Sequence, residues 1–220
     1  LRWVNRKEKI AKVLREAADR GVDVLCMQEV DHMDDFFTGL LGELDYESQY
    51  LQRPERKDGV LLAWRREKLV IQACEEVFFD DLAAHASEMA LAELEVSSSD
   101  RLLKHNVGLI AHFKHASPPF TSLTVATTHL YWNPAAPKVK LVQIRYLLER
   151  MAATRATHSI LTGDLNSFPG SDVISLVQEK GVVGPSTAAA DGKKDGWNGG
   201  TEVGIGEERI TAALERTFRA

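Results

Sequence analysis

A chain of 220 residues, 44% hydrophobic and 27% charged, is sized for one globular domain with a substantial core. No apolar run reaches the roughly 18 residues that a membrane-spanning helix needs. The formal net charge of −5 argues against nucleic-acid binding by bulk attraction, but not through a local basic rim or a metal that neutralises phosphate.

The opening LRWVNRKEK is too charged for the apolar core of a signal peptide, and the expectation is an intracellular, most simply cytoplasmic, protein. Asn5 with Glu8 resembles a capping box, after which Ile10, Val13, Leu14 and Ala17 form one apolar helical face ending near Gly21. The apolar run VDVLCMQEV, Val22 to Val30, reads as a buried strand closing on Glu29. Cys26 lies inside it and Cys74 is the only other cysteine, so neither a disulfide framework nor zinc spacing is present.

Asp34 to Leu44 reads as a helix, Tyr46 to Leu51 as a strand, and Gly59 to Trp64 as another after the turn signal RKDG. Leu69 to Val77 and Val107 to Phe113 follow as strands, and Pro118-Pro119 then breaks the chain. The next strand, Ser122 to His129, precedes a helix from about Lys138 to Ala153 with Leu141, Ile144, Leu148 and Met151 on its core face. His158 to Gly163 is the last strand. Beyond it, about 181–206 is Gly-rich and reads as a flexible insertion, with Glu207 to Arg219 helical again.

Three of the strand-like runs end on polar residues of catalytic type: Glu29, His129, and the triplet Asp164-Leu165-Asn166. Residues i and i+2 of an extended chain point the same way, so Asp164 and Asn166 pair an acid with a neutral donor. Such a pair suits activation of a water and stabilisation of a charged transition state. Each residue also has an ordinary reading: Asp and Asn ahead of Pro-Gly as a turn, Glu29 as a helix cap, and His129 as a structural histidine. Trp132 reads as core packing. Basic sets at Arg53, Arg56 and Lys57, at Arg65, Arg66 and Lys68, and at Lys138 with Lys140 are candidates for a phosphate rim or a solvated surface.

Taken together and in order, Glu29 in LCMQEV, the Lys57-Asp58-Gly59 turn, Asn106 in HNVGLIA, His129 in TTHLYWNP, the following VKLVQ, and GDLNSFPGS resemble the endonuclease/exonuclease/phosphatase superfamily. The deadenylase-like branch, with the carbon-catabolite-repressor, Angel, nocturnin and 2′,5′-phosphodiesterase types, is the most similar. The resemblance covers roughly Trp3 to Gln178. It implies a four-layered α/β sandwich of two packed, mainly antiparallel sheets flanked by helices, with phosphodiester cleavage at one edge. It further implies magnesium, or manganese, held by Glu29. Asp164 would then position and deprotonate water, Asn166 would donate to the phosphate, and His129 would contact it. Asn106 and Pro134 would touch the terminal nucleotide.

The chain departs from that pattern in lacking an opening Asn before the first helix and a closing Ser-Asp-His, so the expectation is a single, partial domain of the superfamily. Asn133, where deadenylases commonly carry Asp, leans toward the Angel branch. The implied function is a 3′ exoribonuclease on single-stranded, A-rich RNA ends that releases 5′-AMP. The alternatives are action on 2′,5′-oligoadenylate, cyclic phosphate ends or a dinucleotide phosphate, and a non-catalytic RNA-binding scaffold. No membrane partner is expected.

Overall fold

The computed structural model describes residues 3–85 and 102–179. The expected Gly-rich insertion and the helix after it lie outside the described residues. In chain order the elements are α1 (Trp3–Asp19), β1 (Val24–Val30), a π-helical turn (Met33–Phe37) running into α2 (Thr38–Glu43), β2 (Tyr46–Gln52), β3 (Gly59–Arg65), β4 (Leu69–Phe78), α3 (Asp81–His85), β5 (Val107–His115), β6 (Ser122–His129), α4 (Pro137–Ala153), β7 (His158–Asp164) and α5 (Asp172–Glu179).

The strands form two sheets, ordered β1-β3-β2 and β4-β5-β6-β7. Every pairing is antiparallel except β6 with β7. The alternation of side chains along a strand explains the layers. In β3, Val60, Leu62 and Trp64 pack with Leu109, Ala111 and Phe113 of β5 between the sheets, while Leu61 and Ala63 face the layer of α1 and α2. On the other side, Ile110 and Ala126 meet Ile144, Leu147 and Met151 of α4 and Val173 and Leu176 of α5. The result is the expected four-layered α/β sandwich. Trp64 and Phe113, with rings 5.2 Å apart and almost no exposure, anchor the middle layer. Burial of a side chain of this class contributes about 1.5–3 kcal/mol.

Two local expectations change. Asn5 lies within α1 rather than at its start, and Val13 is 63% exposed while Ile10, Ala11, Leu14 and Ala18 face the core. The buried stripe is therefore rotated by about one residue, because α1 lies against the flat face of a sheet where small Ala11 and Ala18 allow close approach. The helix expected from Asp34 to Leu44 opens instead with one π turn, closed by the Phe37 amide on the His32 carbonyl at 3.1 Å and by Thr38 Oγ1 on the Met33 carbonyl at 2.9 Å. The wider turn packs Phe36 and Phe37 edge to face at 4.9 Å. Cys26 and Cys74 are free.

Gly163 shows how tightly β7 seats on β6. It has φ +129, and a Cβ there would lie 2.1 Å from the Thr128 carbonyl oxygen. Gly163→Ala is expected to cost about 2–3 kcal/mol through strain and overpacking, a fall in Tm of about 4–12 °C in thermal melts. An unchanged Tm would mean that β7 can move off β6 freely.

Candidate active site

β1 of the smaller sheet and β6 and β7 of the larger run toward the same end of the molecule. There the two sheets are tied by Gln28 Nε2 donating to Thr127 Oγ1 at 2.9 Å. The next residue, Glu29, sits on a β-bulge. Met27 pairs with Leu61 and Val30 with Gly59, so β1 carries one residue more than β3 over that interval, and Glu29 has φ 57. A bulge re-aims a side chain, and Glu29 is exposed at the strand end. The helical turn that follows has His32 at its N-cap and no side-chain capping bond, which removes the capping reading of Glu29. Gly59, opposite this bulge, has no room for a side chain: a Cβ would lie 2.2 Å from the Leu51 carbonyl oxygen.

In the larger sheet His129 and Asp164 are register partners at the ends of β6 and β7. His129 Nε2 lies 3.9 Å from Asp164 Oδ2, with the histidine side chain 11% and the aspartate 54% exposed. The other carboxylate oxygen accepts the Asn166 amide at 2.8 Å. Asn166 has φ 47, and its Nδ2 donates to the Leu130 carbonyl at 2.9 Å, while the Leu130 amide donates to the Asp164 carbonyl at 2.9 Å. The ends of β6 and β7 are thus stitched through both backbone and side chains. His129 Nδ1 is buried with no hydrogen-bond partner among the described residues, so no protein contact fixes its tautomer.

Two readings change at this end, Lys140 as a rim cation and Trp132 as core packing, and Asn106 proves buried. Asn106, expected to touch a nucleotide, is 3% exposed and lies beneath the site. Its Nδ2 donates to the His129 carbonyl at 2.8 Å, its Oδ1 accepts from Gln143 Nε2 at 3.3 Å, and Gln143 Oε1 accepts the Tyr131 amide at 3.0 Å. These two amides therefore position the backbone on both sides of Leu130. Lys140, read as part of a basic rim, is 5% exposed and donates through Nζ to the Asn166 carbonyl at 2.8 Å. Of the other rim candidates, Arg53 is paired with Asp58 at 3.0 Å, and Arg56 and Lys57 are exposed in the same loop. Arg65 closes β3 at the opposite end, bound to the carbonyls of Ala18 and Val22. Pro134 is exposed in the turn before α4. Trp132 is not core packing: it is 66% exposed.

Gln143 and Lys140 escaped sequence reasoning as site supports. A Lys and a Gln early in a helix read as solvent-facing, and only the crossover path brings them under the strand ends. Neither thiol suits nucleophilic work. Burial pushes both up from the usual range, Cys74 to about 11, so both are protonated at neutral pH.

The donors that reach the surface here are oxygens, on Glu29 and Asp164. Among the described residues no group of three or more His, Cys, Asp or Glu forms a metal cage. Magnesium is held through one or two carboxylates plus waters and phosphate, so this donor set fits magnesium and not a closed zinc site.

A model of the Endonuclease/Exonuclease/phosphatase family matches residues 1–206. Carbon catabolite repressor protein 4 homolog 4 of Arabidopsis thaliana is 30% identical over 207 residues, covering 80% of this chain and 49% of the relative. The CCR4-Not complex 3'-5'-exoribonuclease subunit Ccr4 of Neurospora crassa is 31% identical over 164 residues, covering 69% of this chain and 20% of the relative. Among solved structures, ANGEL2, a 2',3'-cyclic phosphatase in complex with adenosine-2',3'-vanadate, aligns with TM-score 0.60 and 27% identity over 76% of this chain and 46% of that one. The chain spans about half or less of the length of these proteins.

Asn106→Ala is expected to leave the Gln143 amide and the His129 carbonyl unsatisfied and to cost about 1–3 kcal/mol in urea unfolding. Lys140→Met keeps the packed stem and removes the donor. A hydrogen bond from a charged group contributes about 1.5–3 kcal/mol, so backbone amides of 165–168 are expected to exchange about ten- to a hundredfold faster. Unchanged exchange would show that the turn holds itself.

Proposed function

The chain belongs to the endonuclease/exonuclease/phosphatase family, and from that premise we propose that the protein carrying it is a magnesium-dependent phosphodiesterase. We infer a 3′ exoribonuclease of the deadenylase type, releasing 5′-AMP from single-stranded, A-rich RNA ends. One observation carries this reading. His129 and Asp164 face each other at 3.9 Å on adjacent parallel strand ends, held by buried amides from below, and the bulged Glu29 lies at the same end of the sandwich.

Each residue has a role that its geometry permits. Asp164 is anchored through one oxygen by the Asn166 amide, which leaves Oδ2, facing His129, to orient the attacking water and take its proton. His129 reaches the phosphate through Nε2 and donates to a non-bridging oxygen. Asn166 commits one amide hydrogen to the Leu130 carbonyl and has a second for the charge that builds on the phosphate. Glu29 would hold a magnesium ion, which would supply charge neutralisation at the phosphate and acidify a water. Pro134, exposed beyond His129, offers a flat surface to the terminal base. The Ccr4 relative's exoribonuclease designation supports the substrate class.

A second reading keeps the residues and changes the phosphate. The ANGEL2 structure, named as a 2',3'-cyclic phosphatase, favours a cyclic phosphate at an RNA end. End-labelled oligo(A), oligo(U), 2′,5′-oligo(A) and RNA ending in a cyclic phosphate, each with magnesium, separate the two. Stepwise shortening of oligo(A) supports the exonuclease, and opening of the cyclic end without shortening supports the phosphatase.

In the intact protein, Glu29→Gln and Asp164→Asn are each expected to lower turnover roughly a hundredfold or more. Tm should stay close to that of the parent because both side chains are exposed. EDTA should abolish turnover and added magnesium restore it. More than about a tenth of parental activity in Asp164→Asn would place the base elsewhere.

A further inference from the structure

Among the described residues, three aromatic side chains are half exposed or more: Phe120 at 50%, Trp132 at 66% and Phe168 at 66%. Phe120 lies before β6, at the far end from the site, with the Lys114 ammonium 5.4 Å from its ring. The other two lie at the site. Trp132 follows His129 by three residues and Phe168 follows Asn166 by two. The segments that carry them are the ones stitched together by the Leu130, Asp164 and Asn166 hydrogen bonds, so both rings stand on chain that leaves the His129–Asp164 pair and is braced there.

Two-thirds exposure is unusual for tryptophan, a residue highly buried on average. The Trp132 ring tilts against that of Tyr131 at 6.1 Å, and the Lys104 ammonium sits 5.2 Å from the Tyr131 ring. The surface leaving the catalytic pair is therefore aromatic and then cationic. Flat rings beside a phosphate site, with a cation further along, are what a single-stranded nucleic acid requires, because every base has a face to stack and every linkage a charge to neutralise. A free phosphate or a small phosphoester would use neither ring.

We propose that Trp132 and Phe168 are stacking platforms for the bases on either side of the scissile phosphate. The site then takes a single-stranded oligonucleotide through at least two bases, with little regard to which bases they are. This rests on the phosphodiesterase reading above and names its substrate class. It also assigns to Pro134 alone whatever adenine preference the terminal position has.

The test measures binding without turnover. Full-length protein carrying Asp164→Asn, in EDTA, is titrated against fluorescein-labelled hexamers of A and of U, with AMP as competitor and an RNA duplex as control. Trp132→Ala and Phe168→Ala should each weaken both hexamers about five- to a hundredfold, the range for loss of one stacked base. Trp132→Phe should recover most of the loss, and melting temperatures should stay with the parent. AMP should compete weakly and the duplex should bind less well than the hexamers. Hexamer affinities within twofold of the parent in both alanine variants would overturn the proposal. So would a parent that binds no hexamer, or a concentration-dependent dimer that Trp132→Ala abolishes while RNA affinity stays put. If the hexamers bind as expected but the intact wild-type enzyme cleaves no RNA, the platforms stand and the exonuclease reading falls.

Discussion

The parallel pairing of β6 with β7, in register from Leu123 opposite His158 to His129 opposite Asp164, is the constraint on which the rest of the site depends. Parallel neighbours cannot be joined by a hairpin; they need a crossover, here α4. The crossover leaves the end of β6 and must turn back beneath the strand ends, so its first turns pass under the segments that follow His129 and Asp164. Gln143 and Lys140 then hold the Tyr131 amide and the Asn166 carbonyl from below. A slip of one residue in the pairing would turn Asp164 to the opposite face. Gly163, with no Cβ to meet the Thr128 carbonyl, permits the observed close seating.

Local backbone geometry does the remaining aiming. Glu29 and Asn166 both have positive φ, at 57 and 47. For residues other than glycine that conformation is uncommon and persists only when the surroundings over-determine it. At Glu29 the surroundings are the antiparallel ladder on either side of the bulge. At Asn166 they are hydrogen bonds to its amide, its side chain and its carbonyl. Positive φ alone does not mark a site, since Asp45, Glu55, His105, Phe120 and Arg155 share it, Asp45 and Phe120 in turns between elements. What distinguishes Glu29 and Asn166 is that each lies at or just past the C-terminal end of a strand, β1 and β7, at the end of the molecule where Gln28 and Thr127 tie the two sheets.

Strands were legible in the sequence because their apolar runs are long and closed by polar residues, and β6 matches its expected limits residue for residue. The expected four layers also stand. Legibility failed where the fate of a side chain is decided by a distant element. Lys140 and Asn106 are polar residues at an element's beginning, indistinguishable in sequence from solvated ones, and become buried struts only because β6, β7 and α4 converge. Trp132 fails in the opposite direction: hydrophobicity argues for the core, but the tight Asn133 turn, with Oδ1 accepting the Ala135 amide at 2.9 Å, carries the chain away from the sandwich before the ring can fold under. The bulge at Glu29 leaves no compositional trace, since its residues are ordinary strand residues.

Charge bears on how this chain would meet the polyanion proposed as its substrate. With a net charge of −5, long-range attraction works against the substrate. Several cations that would otherwise offset this are committed within the protein: Arg53 to Asp58, Arg145 to Glu149, Arg150 to Glu75 and Lys140 to the Asn166 carbonyl. Arg56 and Lys57 are exposed in the loop that follows β2, and Lys104 lies beside Tyr131. Phosphate contacts from these three alone would release few counterions, and affinity built on them would be weak at physiological salt. Stacking does not depend on counterions, and a magnesium ion held as proposed at Glu29 would neutralise only the phosphate under attack. With the two rings as the proposed platforms, such a site would favour a short flexible end over a long duplex held along its backbone.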